Sequence, residues 1–167
     1  YRLAGLRHVL MSHLYEDRLD QIVCKVFGKS LRRLLPEILV VCAEKNACIC
    51  EMFEKQTYER KRLVAVTPGK KIQDFTFDFV TVFSSQDYYG KNYLLDMALA
   101  TRFASDKVVG KAAYYSEGAL LYREKAYTHV KEPVQLRRQM AERHFLDESI
   151  TMDELLCLHQ QAEILAL

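Results

Sequence analysis

This 167-residue sequence lacks an excess of charge of either sign, a long apolar run, and paired cysteines at metal-ligand spacing. Its 24 basic and 22 acidic residues nearly cancel, which argues against a protein built for nucleic acid, whose binding face is usually strongly basic. The longest basic cluster, Arg60-Lys61-Arg62, is short and precedes an apolar stretch. It reads as the solvated start of a strand rather than a phosphate track. No stretch reaches the ~18 uninterrupted apolar residues expected of a spanning helix. The five cysteines, Cys24, Cys42, Cys48, Cys50 and Cys157, are odd in number and lie mostly among apolar residues. Buried, reduced thiols in a cytosolic protein are the simplest reading. Cys48 and Cys50 form a C-x-C pair with no second pair to complete a zinc site. There are no internal repeats, no low-complexity segments and no signal-peptide pattern. The first residue is Tyr1 rather than Met, so a domain cut from a longer protein is expected.

Half of the residues are apolar, enough for one domain with a real core. Residues 2–27 read as two helical segments. Leu3, Leu6, Val9 and Leu10 lie on one face, and Leu19, Ile22, Val23 and Val26 on a second. Gly28 is a plausible helix stop. Pro36 marks a boundary, which divides the chain into a helical segment over 1–35 and a domain over 36–167. Ile38 to Cys42 is a continuous apolar run, as a strand covered on both faces requires. Ala43 to Lys55 has helical character with Ile49, Met52 and Phe53 as its stripe, and Leu63 to Val66 reads as a second buried strand. Pro68-Gly69 is a turn signal. Strand, helix and strand at this length form a βαβ unit, which implies parallel strands and a right-handed crossover. A third strand is expected over Phe79–Phe83, then an amphipathic helix from about Lys91 to Ala104. Val108 to Gly110 is strand-like. Ala119–Arg123 and Tyr127–Val130 suggest a hairpin or two edge strands. Thr151 to Glu154 resembles a capping box, which opens a last helix whose inner face holds Leu155, Leu158 and Ala162. The expected class is α/β.

The stretch from Phe77 to Leu94 organises the rest. An apolar strand ends in Ser84-Ser85-Gln86-Asp87, turns at Gly90 and leads into a helix, and open α/β sheets place ligands at such strand ends. It resembles the strand, acidic turn and helix of family 2 glycosyltransferases, in which a run of aspartates precedes Tyr-Tyr-Gly-x-Asn-Tyr-Leu. Three further islands follow that family's order. Gln56-Thr57-Tyr58 with Leu63-Val64-Ala65-Val66 is similar to its Q-T-Y-x-x-x-E-L-V-V-V segment. Val108 to Tyr115 is similar to the D-V-V-G-K-G-A-Y-Y stretch of a bacterial cell-envelope subgroup. Arg137-Arg138, Phe145 to Ser149 and Met152 to Leu156 resemble the end of the catalytic core. Upstream, His13 to Arg18 resembles the His-Thr-Tyr-x-x-Arg signature that ends a preceding glycosyltransferase-like domain in some bacterial enzymes, and an amphipathic helix surface explains it equally.

The resemblance implies a GT-A fold, a Rossmann-like and mostly parallel sheet flanked by helices. It also implies a nucleotide-diphosphate sugar as donor and inverting transfer to a glycan or lipid-linked acceptor. The implied setting is the cytoplasm, near the inner membrane face. A divalent metal, Mn²⁺ or Mg²⁺, would be held by aspartates of the turn. Here the D-x-D positions fall on Ser84 and Gln86, and Asp87 alone keeps a carboxylate, so the implied metal site is weakened. Asp153 falls on the catalytic base, although an Asp in a first helical turn is favoured by the macrodipole alone. Ala43, Glu44, Asn46, Thr67, Gln86 and Lys91 fall on the nucleotide-sugar side, and Asp147 and Glu148 on the acceptor side. Glu44 reads equally as a surface residue at a helix start, and Lys91 reads first as a solvated helix-start lysine. Tyr88 and Tyr89 either wall the sugar pocket or pack beneath the sheet edge. His129 and His144 show no partner in sequence. Lys91 and Arg137 are the cations that could meet a leaving diphosphate without a metal. Against transfer stands a scaffold reading, a GT-A-shaped domain that has lost its catalytic residues.

Overall fold

The computed structural model describes residues 2–32, 34–111, 113–116, 118–122, 128–158 and 161–167. Ala112, Arg123 and Tyr127, on which sequence readings fell, lie outside the described residues. The chain divides into two compact units, Tyr1–Leu35 and Pro36–Leu167. The first holds helices α1 (Arg2–Ser12) and α2 (Tyr15–Phe27). Helix α2 opens on a carboxylate, since Asp17 Oδ2 accepts the Leu14 backbone N–H at 2.9 Å. It ends at Gly28, whose φ of 67° lets its N–H close on the Cys24 carbonyl.

In the second unit, strands and helices follow in the order β1 (Ile38–Cys42), α3 (Ala47–Glu54), β2 (Lys61–Ala65), β3 (Phe79–Val82), β4 (Asp87–Tyr88) and α4 (Tyr93–Ala100). Then come β5 (Val108–Gly110), β6 (Ala113–Ser116), β7 (Ala119–Tyr122), β8 (Thr128–Pro133), β9 (Gln139–Glu142), α5 (Met152–Leu156) and β10 (Gln161–Ala166). Among the described residues the main sheet has the order β2-β1-β3-β9-β5-β10-β8, and β4-β6-β7 form a second sheet. The architecture is α/β. Strands β2, β1, β3, β5 and β10 run one way, and β9 and β8 run against them. All five residues of β1 are buried, as expected of a strand with neighbours on both sides. Leu39, Val41, Val80 and Val82 join Met152 and Leu155 of α5 in one core cluster. Val109 and Leu165 pack instead with Ala100 of α4. Because successive side chains of a strand point to opposite faces, both faces of the sheet are covered. Each fully buried Val, Leu or Ile contributes roughly 1.5–3 kcal/mol.

Several sequence expectations need correction. The first helix of this unit starts at Ala47, not Ala43, because the Asn46 side chain accepts the Ile49 N–H at 2.9 Å and caps it there. Strand β2 is an edge strand and only partly buried. Helix α4 is shorter than expected and not amphipathic, since every residue except Asp96 is buried; a helix apolar all round belongs in a core. Asn92 offers it no side-chain cap. Instead the Tyr93 N–H finds the Gly90 carbonyl at 2.8 Å, and the Leu94 N–H finds Gln56 Oε1 at 3.1 Å. Of the two readings for the segments near 119 and 128, the edge strands hold: β7 edges the small sheet against β6, and β8 edges the main sheet against β10. The last helix stops at Leu156. Ala162 lies in β10, so it and Leu158 do not extend the α5 face.

Candidate functional site

Parallel registry places three loops at one sheet edge. Cys42 of β1 stands level with Ala65 of β2, and Val41 with Val82 of β3. The Val66 N–H bonds the Cys42 carbonyl and the Phe83 N–H bonds the Val41 carbonyl, both at 2.8 Å. The loops over 43–46, 66–70 and 83–86 therefore leave together from the carboxyl ends of the strands, where open sheets bind ligands. Ala43 and Glu44 are exposed there, and Asn46 is committed to the α3 cap.

The loop after β2 meets the start of α5. Gly69, with φ 72°, donates its N–H to Asp153 Oδ2 at 3.2 Å. The Met152 N–H donates to the Lys70 carbonyl at 2.9 Å and the Ile72 N–H to the Ile150 carbonyl at 3.1 Å. The capping box read from the sequence is present, with the Thr151 N–H on Glu154 Oε2 at 2.9 Å and the Glu154 N–H on Thr151 Oγ1 at 3.4 Å. The Thr151 N–H and the Thr151 hydroxyl, which donates to the same oxygen at 2.9 Å, hold the Glu154 carboxyl below its ordinary range. Asp153 itself is exposed, and Thr67 is exposed on the facing turn. Asp147, just ahead of α5, accepts the Ser149 hydroxyl at 2.7 Å and the Ser149 N–H at 2.8 Å. Both bonds lower its pKa, and Glu148 stands exposed beside it.

The loop after β3 is built around Asp87 and Tyr89. Pairing of β4 with β6 turns Tyr88 outward and Asp87 and Tyr89 inward. Tyr89 stacks on Phe83 with ring centroids 3.9 Å apart. Its hydroxyl accepts the Ser84 N–H at 3.2 Å and lies 2.9 Å from the Arg137 carbonyl, 3.1 Å from the Val82 carbonyl and 3.4 Å from Asp87 Oδ2. Burial pushes this phenol well above its ordinary pKa, so it keeps its proton. Arg137 donates from Nε to Asp87 Oδ2 at 2.9 Å and from Nη2 to Gln86 Oε1 at 3.2 Å. The side chain of Asp87 is 3% exposed and that of Arg137 34%. An open depression of about 460 Å³ lies alongside, lined by Ser85, Gln86, Asp87, Tyr88, Tyr115 and Gly118. Tyr88 and Tyr115 meet edge to face in it at 6.3 Å.

Lys91 is exposed, and its carbonyl accepts the Thr57 N–H at 2.8 Å. Gln56, buried, donates from Nε2 to the carbonyls of Met52 at 3.2 Å and Gly90 at 3.0 Å. The Gln56-Thr57 island thus braces the Gly90 turn. His129 has a partner, Asp106, at 2.9 Å.

Of the expected site residues, Asp153 is bonded to the Gly69 turn, and Asp87 and Gln86 are joined through Arg137 with Tyr89 beside them. Among the described residues no hydrogen bond or ion pair joins Asp87 to Asp153 or Asn46. The pairing of Arg137 with Asp87 was missed in the sequence, because fifty positions separate them and no local spacing marks the contact. The turn after β3 offers a divalent cation one carboxylate, Asp87, with two serines and a glutamine beside it. Such ions want several oxygen ligands with net negative charge. Asp87 Oδ2 is taken by the guanidinium, while Oδ1 is buried with no hydrogen-bond partner. Among the described residues no group of three or more His, Cys, Asp or Glu side chains could hold a metal ion. Among the same residues, no helix is long and apolar enough to cross a membrane. Neither a protein-family model nor a curated protein sequence matches the chain.

Proposed function

We propose that residues 36–167 form a glycosyltransferase-type domain of the family 2, GT-A kind. It transfers a sugar from a nucleotide-diphosphate donor to a hydroxyl of a glycan or lipid-linked acceptor, at the cytoplasmic face of a bacterial membrane. The observation that carries this reading is the common sheet edge, where the loops after β1, β2 and β3 emerge in register and the loop after β2 is tied to Asp153. Glu44, Asn46, Thr67, Gln86 and Lys91 then flank the donor, and Asp147 and Glu148 lie toward the acceptor. Asp153 uses only Oδ2 in its bond to Gly69, so Oδ1 is open to solvent as a general base. It takes the acceptor proton while the acceptor oxygen bonds the anomeric carbon. The bond from that carbon to the β-phosphate oxygen breaks, and the nucleoside diphosphate leaves with the electron pair. Isothermal titration of UDP, GDP, ADP and dTDP, each with Mn²⁺ and with EDTA, tests the reading. Saturable binding of one of them is expected, and silence from all four in both conditions overturns it.

A second reading, a GT-A-shaped scaffold without catalysis, is favoured by one observation. The turn that carries aspartates in the family presents two serines, a glutamine and a carboxylate already neutralised by Arg137. Measurable sugar transfer by the purified chain removes that reading.

A further inference from the structure

The guanidinium of Arg137 is held as a fixed fork by two residues of the depression's lining. Its Nε is anchored by Asp87 and its Nη2 by Gln86, and both anchors line the depression. The backbone is fixed as well, because the Arg137 carbonyl lies 2.9 Å from the Tyr89 hydroxyl. Its third nitrogen, Nη1, has no partner among the described residues, and the side chain is one-third exposed. An arginine immobilised on one edge and open on the other suits planar recognition of phosphate, with little further side-chain ordering on binding. The surrounding turn is complementary to that role. A run of aspartates would repel a diphosphate unless a cation intervened, whereas Ser84, Ser85 and Gln86 carry no charge. Asp87 is then the single carboxylate of the turn, with one oxygen on the guanidinium and the other buried. Loss of the acids and presence of the arginine point the same way.

We propose that Arg137 is the phosphate-binding cation of this site, so that a nucleoside diphosphate binds without a divalent metal. This rests on the transferase reading and adds to it the group that meets the diphosphate. The test is isothermal titration of the full chain with UDP, GDP, ADP and dTDP, and with inorganic pyrophosphate as a probe of charge recognition alone. The nucleotide that binds is expected to do so within about twofold in EDTA and in Mn²⁺. Arg137→Ala alone leaves Asp87 buried without its partner and is liable to unfold. The double variant Asp87→Asn/Arg137→Ala removes both charges and serves as the folded reference, checked by circular dichroism. It is expected to weaken nucleotide and pyrophosphate binding by at least about tenfold. Asp87→Asn alone releases the guanidinium from its counter-charge and is expected to tighten both. A metal site predicts the opposite sign for that variant. Binding that requires Mn²⁺, or is lost in Asp87→Asn, or survives unchanged in the double variant, overturns the inference and leaves the transferase reading standing. Failure of every nucleoside diphosphate in both conditions overturns the two together.

Discussion

Two aspartates at the same sheet edge have opposite environments. Asp87 is inside, with one oxygen on Arg137 and the other shut from solvent. Asp153 is outside, with one oxygen on a single backbone N–H and the rest of the carboxylate in water. A buried charge must be compensated by its surroundings, so Asp87 holds the β3 turn together and cannot leave its partner cheaply. An exposed carboxylate on a short capped helix costs little to move. Of these two acids the buried one is thus structural, and the exposed one is open to a ligand from solvent.

The largest expected effect breaks that comparison from the Asp153 side. Asp153→Asn keeps the shape and removes the proposed base. Sugar transfer should fall by roughly 10²–10⁴-fold, the usual range for a general base, while the urea midpoint moves by less than about 0.5 kcal/mol-equivalent. Unchanged turnover would return Asp153 to a purely helix-start role. Arg137→Ala acts in the reverse manner. By stranding Asp87 it should lower unfolding stability by about 3 kcal/mol, measured by chemical denaturation. Asp87→Asn, which leaves a neutral amide beside the arginine, should cost less. Equal losses from the two would mean that the pair's attraction, not the stranded buried charge, sets the cost.

Much of the fold could be read from the chain, and the failures share a physical cause. Five consecutive apolar residues identified β1 correctly, and the Thr151–Glu154 spacing identified the cap of α5, because both signals are local. Strand β10 was misread as helix because Leu155, Leu158 and Ala162 fall at spacings of three and four, and only its neighbours β5 and β8 decide otherwise. The expected amphipathic helix α4 is instead buried at every residue but Asp96, which serves an ion pair with Lys111 at 2.7 Å. The site shows the same division. Asp87 and Asp153 could be picked out by motif, but the arginine that governs Asp87 sits fifty residues away on the connection before β9.

Smaller effects sharpen the contrast at the α5 end. Thr151→Ala removes the hydroxyl that accepts the Glu154 N–H and should cost about 1 kcal/mol. It should loosen the presentation of Asp153 without disturbing the β3 turn. Tyr89 ring shifts in NMR spectra should stay in place while the Gly69 amide moves.

The smallest effect concerns pH. Asp147 has a lowered pKa because the Ser149 hydroxyl and N–H both bond its ionised form. A depressed folded value means that the charged form is preferred in the native state. Its contribution is therefore present above the ordinary aspartate range and is lost as pH falls through the lowered folded value. Asp147 is fully exposed, so the contribution to global stability is slight, and the readout is local. A carboxyl-carbon NMR titration should place the Asp147 midpoint below that of an unstructured aspartate, with the Ser149 amide shift following the same curve. Ser149→Ala removes the hydroxyl bond and keeps the backbone one, so it should return part of the shift but not all of it. A midpoint unmoved by that substitution would mean that the hydroxyl bond contributes nothing, leaving the backbone N–H as the whole cause.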